Sequence, residues 1–211
     1  MTIKRLNHII GPLQNNCFLI LDDETNEAVI IDPPLEVETI FPKLQQSGIE
    51  ITRILITHAH FDHIGGVQAV LDHCALQPKI YMHAKELPLW QDHGSADEFN
   101  IQITLPNKPD VLLEGELELN FGNIKLQTLF TPGHTPGHCT FYSHDLNAAF
   151  CGDVIFYRSI GRTDFPGGDL PTLLESIRKK IFTLPQATEL YPGHGRHTTV
   201  QDEMDFNPFL G

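Results

Sequence analysis

Apolar residues in this chain come in short runs that end at turns. Residues 17–21 and 28–31 are apolar at every position. Runs this short and this continuous read as strands buried on both faces. The stretch 37–46 is spaced as a helix, and Arg53-Ile54-Leu55-Ile56-Thr57 reads as another buried strand. A helix is expected over 66–74 and a strand over Lys79–His83. The second half adds strands at 117–119, Ile124–Phe130, 139–142, 148–151 and 189–191. Between the last two, Asp169-Leu170-Pro171 opens a helix, with Asp suited to the N-cap and Pro to the first turn. Leu170, Leu173, Leu174, Ile177 and Ile181 give that helix an apolar stripe. The tail 198–209 is expected to cap the sheet. The stretch 84–109 holds the only Trp, Trp90, and predicts a helix followed by an irregular loop. That loop either borders a site or is a plain surface insertion. Strand clusters mixed with helices in both halves indicate an α/β or α+β fold, without fixing the layer order.

The turns after these runs carry the chemistry. His58-Ala59-His60-Phe61-Asp62-His63 places four metal-binding side chains within six residues, directly after the strand at 53–57. Imidazole and carboxylate are donors that suit zinc, iron or manganese. Four of them so close cannot all face one small ion without strain, whereas two adjacent ions divide them easily. A solvated loop that happened to hold histidines would not recur, and this pattern does. Thr131-Pro132-Gly133-His134 follows one apolar run, Gly152-Asp153 another, and Pro192-Gly193-His194-Gly195 a third. Strand ends on one edge of a sheet can converge on a single site.

Composition narrows the alternatives. The 211 residues suffice for one sizeable domain or two tight lobes, with no linker or strong repeat between them. The net charge of −13 argues against a nucleic-acid partner, because phosphate binding depends on Lys and Arg. Two Asp ligands do not account for that charge, so most of it belongs to a solvated surface. Cys17, Cys74, Cys139 and Cys151 show no paired spacing and read as reduced thiols. Cys139 and Cys151 lie near ligand turns but read as small buried hydrophobes. Residues 1–11 hold two basic residues without a long apolar stretch after them, and no run reaches the roughly 18 apolar residues of a membrane span. A cytoplasmic location with no membrane partner is the expectation.

The His-x-His-x-Asp-His turn, followed by a lone His, a lone Asp and a lone His, resembles the metallo-β-lactamase fold. Within it the chain is most similar to the glyoxalase II-like hydrolases, especially the short bacterial members without a C-terminal helical domain. The resemblance implies a single domain over 1–211 with an αββα sandwich, an α+β architecture of four layers. It implies two divalent metal ions, zinc foremost, with iron or manganese also accepted. His58, His60 and His134 would hold one ion, Asp62, His63 and His194 the other, and Asp153 would bridge them. Asp32, at the end of the strand 28–31, matches an Asp that supports the metal loop in relatives; read from the residues alone it is equally a turn-forming Asp. Pro33-Pro34 replaces the usual Pro-Gly after it, so that turn is expected to differ. His138 falls where it could stand behind a ligand or orient the loop. The remaining histidines, at 8, 73, 83, 93, 144 and 197, read as surface or core side chains.

The implied reaction is hydrolysis of a thioester through a metal-bridging hydroxide, with S-D-lactoylglutathione as substrate and D-lactate and glutathione as products. Asp62 and Asp153 would be the catalytic carboxylates, Asp62 as a ligand first. Arg162, nine residues after Asp153, matches a basic residue that binds glutathione in glyoxalase II; the alternative is a surface ion pair with Asp164. Arg196 falls where those enzymes carry a Tyr that contacts glutathione, so that contact is changed. A different class competes. Persulfide dioxygenases share the fold and a stretch like Gly161-Arg162-Thr163-Asp164-Phe165, and use one iron held by two His and one Asp. Their last ligand turn tends to read Ala-His-Asp, whereas Pro192-Gly193-His194-Gly195 has the hydrolase form. A lactone or other ester hydrolase of the same fold is a further alternative.

Overall fold

The computed structural model describes residues 3–210. The first half builds a six-stranded sheet in chain order: β1 (Ile3–Ile10), β2 (Asn15–Asp22), β3 (Glu27–Ile31), β4 (Glu50–Leu55), β5 (Lys79–His83) and β6 (Val111–Leu113). The second half supplies β7 (Glu118–Phe121), β8 (Ile124–Phe130), β9 (Cys139–Ser143), β10 (Ala148–Gly152), β13 (Glu189–Pro192) and β14 (Thr198–Thr199). These form a second sheet in the order β14-β13-β10-β9-β8-β7. A small hairpin, β11 (Ile155–Phe156) and β12 (Ser159–Ile160), stands apart from both.

Alternation along the strands explains the layers. Cys17, Leu19 and Leu21 of β2 and Ile30 of β3 pack with α1 (Phe41–Gln46), α3 (Val67–His73) and Trp90. Their neighbours Phe18, Ile20, Val29 and Ile31 face the other way and meet Leu126, Phe141, Phe150 and Tyr191 of the second sheet. On the far side of that sheet, Leu129, Ala149, Cys151 and Leu190 pack against Leu173 of α5 (Leu170–Ser176) and Ile177 and Ile181 just beyond it. The fold is therefore a four-layer αββα sandwich, the α+β architecture expected. The continuous apolar runs are strands covered on both faces.

The strand directions place the site. β3, β4, β5 and β6 run parallel, as do β10 and β13, while β8 reaches the direction of β10 through two antiparallel pairings with β9. The C-terminal ends of β3, β4, β8, β10 and β13 thus open on one edge of the sandwich. The start of β2 joins them there, because β2 is antiparallel to β3.

Several expectations shift in detail. The helix expected over 37–46 is a 3-10 turn, Val37–Ile40, followed by α1. Pro42 in the first turn of α1 cannot donate a backbone hydrogen bond, so the helix restarts there. The strand expected at 117–119 begins one residue later, because the Leu117 amide donates to Thr128 Oγ1 (2.6 Å). The stretch 84–109 forms a 3-10 turn (Ala84–Glu86), α4 (Leu87–Gln91) and a kinked 3-10 segment (His93–Phe99), then runs irregularly to β6. Trp90 is buried, and its indole N–H donates to Pro106 O (3.0 Å), which pins the irregular return. The tail forms β14 at the sheet edge and α6 (Val200–Phe206).

Candidate metal centre

Four turns bring the seven expected residues to the open edge. After β4 the chain passes His58 and His60 and enters α2 (Phe61–Ile64), whose first turn carries Asp62 and His63. The turn after β8 presents His134, and α5 braces it. Asp169 caps α5 by accepting from Thr172 N (2.9 Å), while its own amide donates to Gly133 O (2.8 Å). Ser176 Oγ also donates to Pro132 O (2.7 Å). Asp153 follows β10 and His194 follows β13. Gly193 lets the turn of His194 approach Asp153 and His63, since a Cβ there would lie 2.3 Å from Asp153 Oδ1 and 2.5 Å from His63 Cε1.

The donor atoms gather into two groups. Those of His58, His60 and His134 lie within 4.8 Å of one another, as do those of Asp62, His63 and His194. Asp153 lies between them: Oδ1 is 3.5 Å from His63 Nε2, and Oδ2 is 3.9 Å from His134 Nε2 and 3.8 Å from His194 Nε2. Asp32, His58 and His63 are equally close, but the oxygens of Asp32 are already occupied. Its Oδ1 accepts from Thr57 N (2.8 Å), and its Oδ2 from Thr57 Oγ1 (2.6 Å) and His63 Nδ1 (2.9 Å).

Hydrogen bonds on the outer nitrogens fix how the rings face. Because the Thr57 hydroxyl donates to Asp32, it accepts from His58 Nδ1 (3.1 Å). His63 Nδ1 donates to Asp32, His134 Nδ1 to Arg162 O (2.7 Å) and His194 Nδ1 to Leu13 O (3.1 Å). Four imidazoles therefore point Nε2 inward, where a neutral ring would offer its lone pair. His58 Nε2, His63 Nε2 and Asp153 Oδ1 are buried and have no hydrogen-bond partner. Buried polar atoms are rarely left so. Three of them aimed into one space fit a cation.

The electrostatics agree. Burial opposes ionisation of Asp62, yet the charge of His63 and hydrogen bonds from His194 and Asn15 outweigh it and hold the carboxyl at about 2. Asp153 is held lower still, against burial, by His63, His134 and His194. Burial and neighbouring His134 push His60 down to about 3. Burial also disfavours a charge on His63, but Asp62 and Asp153 raise its pKa well above normal. The carboxylates thus draw positive charge into their midst.

A cleft of about 590 Å³ opens over this cluster. Phe61, Leu89, Phe99 and Phe165 form much of its wall, with Lys85 and Arg162 as its cations. The stretch 84–109 therefore borders the site. Arg162 also forks onto Asp164 (2.7 and 2.6 Å), the ion pair expected as its alternative, and lies 3.8 Å over the Phe165 ring. Arg196 does not line this cleft. It stacks on Tyr157 at 3.4 Å, in a shallow depression on the other side of His194. Among the described residues the cleft lining has no Tyr, no Cys and no histidine outside the seven.

His138 stands behind Asp153: its Nε2 accepts from the Asp153 amide (3.1 Å) and its Nδ1 bonds to Thr131 Oγ1 (2.9 Å). His73 and His83 stack on Phe41 and Phe130. Cys139 and Cys151 are buried, and burial pushes both thiols up, away from reactivity. Sequence reasoning missed three supports. Asn15 Nδ2 donates to Asp62 Oδ2 (2.9 Å), and Asn16 Nδ2 to Pro192 O (3.0 Å) and Gly195 O (2.7 Å). The third, Glu86, is buried beneath the cluster. The paired Asn before a buried strand was a usable signal, whereas nothing local marks Glu86.

Residues 10–194 match the family model of the metallo-beta-lactamase superfamily. The hydroxyacylglutathione hydrolase GloC of Haemophilus influenzae is 39% identical over 209 residues, 95% of either chain. A solved structure described as the BLEG-1 B3 metallo-beta-lactamase is 40% identical with a TM-score of 0.92, covering 98% of this chain and 99% of that one. Human mitochondrial persulfide dioxygenase ETHE1 is 34% identical over 201 residues, 92% of this chain and 70% of its own.

Proposed function

The chain belongs to the metallo-beta-lactamase superfamily and is a metallo-hydrolase of it, and within that class we propose that it cleaves thioesters, with S-D-lactoylglutathione as substrate and D-lactate and glutathione as products. His58, His60 and His134 would hold one divalent ion and Asp62, His63 and His194 a second, with Asp153 shared between them. The partnerless inward atoms of His58, His63 and Asp153 fit that occupancy. Ions there would supply a water acidified to a pKa of about 7 and a Lewis acid for a carbonyl oxygen. Zinc suits this donor set best, and iron or manganese would also be accepted.

The protein's own groups do the rest. Asp32, Thr57, Arg162 O and Leu13 O hold four imidazoles with Nε2 facing the cluster, the orientation in which a bound ion would take the lone pair. Arg162, at the cleft wall, would exchange its pairing with Asp164 for a substrate carboxylate, which its planar fork suits.

The observation that supports a thioester is the lining itself. Apart from the seven expected ligands, its ionisable side chains are Lys85, Asp92, Glu98 and Arg162, and none is placed as a buried proton donor. An amine or alkoxide leaves poorly without a proton. A thiol has a pKa of about 8.5, so its thiolate departs unaided. The same reasoning ranks β-lactams below thioesters despite the likeness to a B3 enzyme.

Persulfide oxidation is the competing reading, supported by the human relative and the shared Gly161–Phe165 stretch. A single-iron site leaves the second trio of Asp62, His63 and His194 without a purpose.

The test is release of free thiol from S-D-lactoylglutathione by the zinc-loaded protein, with a chelated control. A chromogenic β-lactam and an oxygen electrode charged with glutathione persulfide run beside it. Metal-dependent thiol release is expected. Oxygen uptake without thiol release, or faster turnover of the β-lactam, would overturn the proposal.

A further inference from the structure

The buried carboxylate of Glu86 has no part in the scheme above. It is fully buried and leaves the 3-10 turn Ala84–Glu86, directly after β5. Its Oε2 accepts from Ala59 N (2.7 Å) and its Oε1 from Gly137 N (2.6 Å). Ala59 sits between His58 and His60, and Gly137 lies three residues after His134. One carboxylate thus ties the two turns that carry the first trio, one turn from each sheet. Among the described residues no side-chain cation pairs with it, so its stabilisation comes from the two amides together with the Thr135 hydroxyl nearby. Burial raises its pKa, and the Ala59 amide, the Thr135 hydroxyl and the Gly137 amide hold the rise back. Hydrogen bonds from N–H to an ionised oxygen are roughly twice as strong as neutral ones. Position 137 is also shaped for this contact: a Cβ there would fall 2.8 Å from Glu86 N and 2.9 Å from its Oε1. The second trio has other supports. Asp32 holds His63, Asn15 holds Asp62 and Leu13 O holds His194, and none of these bonds involves Glu86.

We propose that Glu86 is a positioning residue that clamps the turns of His58, His60 and His134 at the spacing one metal ion requires, and so sets the affinity of that position independently of the other. The inference rests on the metal reading of the cluster, and the test separates the two.

Glu86→Gln keeps the side chain's shape but sets an NH2 group against one of the two amides, releasing one turn. The probe is Zn²⁺ alone, titrated against a chromophoric chelator, with circular dichroism as the check on folding. Wild type should take up two equivalents. In E86Q one equivalent should weaken by roughly 10–100-fold, the usual effect of losing a group that orients ligands, while the other stays within about twofold. Equal weakening of both equivalents, or of neither, would overturn the clamp, since a general structural prop would not discriminate between them. If E86Q does not fold, Gly137→Ala reads the same contact by wedging it apart, and two wild-type affinities in folded G137A would overturn the proposal. A wild-type protein that takes up no zinc would overturn the metal reading itself.

Discussion

Asp32→Asn tests how far the cluster depends on what stands behind it. Asp32 is buried and accepts three hydrogen bonds, from Thr57 N, Thr57 Oγ1 and His63 Nδ1, at 2.8, 2.6 and 2.9 Å. Its φ is 50°, a left-handed value that Asn tolerates, so the substitution adds no backbone strain. An amide has one acceptor oxygen. If that oxygen keeps the Thr57 hydroxyl and His63, the NH2 group faces the Thr57 amide and leaves a buried donor unpaired. Such a donor costs about 1–3 kcal/mol. For a chain of this size each kcal/mol moves the melting temperature by roughly 2–4 °C, so a fall of about 2–12 °C is expected in chelator. His63 also loses its anionic partner, which makes its Nε2 a poorer donor. Zinc affinity should drop by about 10–100-fold at the position of Asp62, His63 and His194, the opposite position from the one E86Q affects. Calorimetry in chelator and zinc competition measure the two effects separately. A lowered melting temperature with unchanged zinc affinity would mean that Asp32 only shapes the Thr57 turn, and the argument from ring orientation would fail.

Two further expectations follow from the site. Arg162→Ala should raise KM for glutathione thioesters more than it lowers kcat, because it removes binding rather than chemistry; unchanged kinetics would leave Arg162 as the partner of Asp164 alone. In chelator, stability should fall on acidification. Burial and neighbouring imidazoles lower the pKa values of His58, His60, His134 and His138 from 6.5, that of His60 to about 3. Below about 6.5 the unfolded chain therefore binds protons that the folded chain refuses, down to the folded values. His63 and His194 are raised instead; they add stability below 6.5 and lose it above, but are outnumbered. Melting curves from neutral to about pH 5 should move to lower temperature, and a rise would refute the balance.

Much of this architecture is legible in the sequence because it is local. Strands covered on both faces need long apolar runs, and 17–21 of β2, 28–31 of β3 and Ile54-Leu55-Ile56 at the end of β4 declare themselves that way. The ligand turns are legible because each sits where such a run stops. The elements that escaped notice lack that contrast. β1 is an edge strand whose residues alternate between half-buried and exposed, with Lys4, Arg5, Asn7 and His8 along it. β6 has three residues and the β11–β12 hairpin two in each strand, too few for any period to register. The supports of the cluster were hardest to see, because their partners are distant in sequence. Asp32 and Thr57 are 25 residues apart and Glu86 and Gly137 are 51 apart, and no spacing rule links such pairs. Arg196 shows the converse: the resemblance sets a substrate contact at its position, and its guanidinium stacks on Tyr157, a partner 39 residues away that no local pattern announces.

Each trio draws two side chains from the turn after β4 and one from the second sheet: His134 completes the first and His194 the second. Neither the half of the chain up to β6 nor the half from β7 onward contains a whole set. A bound ion would therefore recognise the docked sandwich and bind poorly to either half alone. By mass action, free metal at a hundred times its dissociation constant would add about 2.7 kcal/mol to the docked state. Loading would then report assembly: a chain whose halves had slipped apart would release its metal before its separate sheets unravelled.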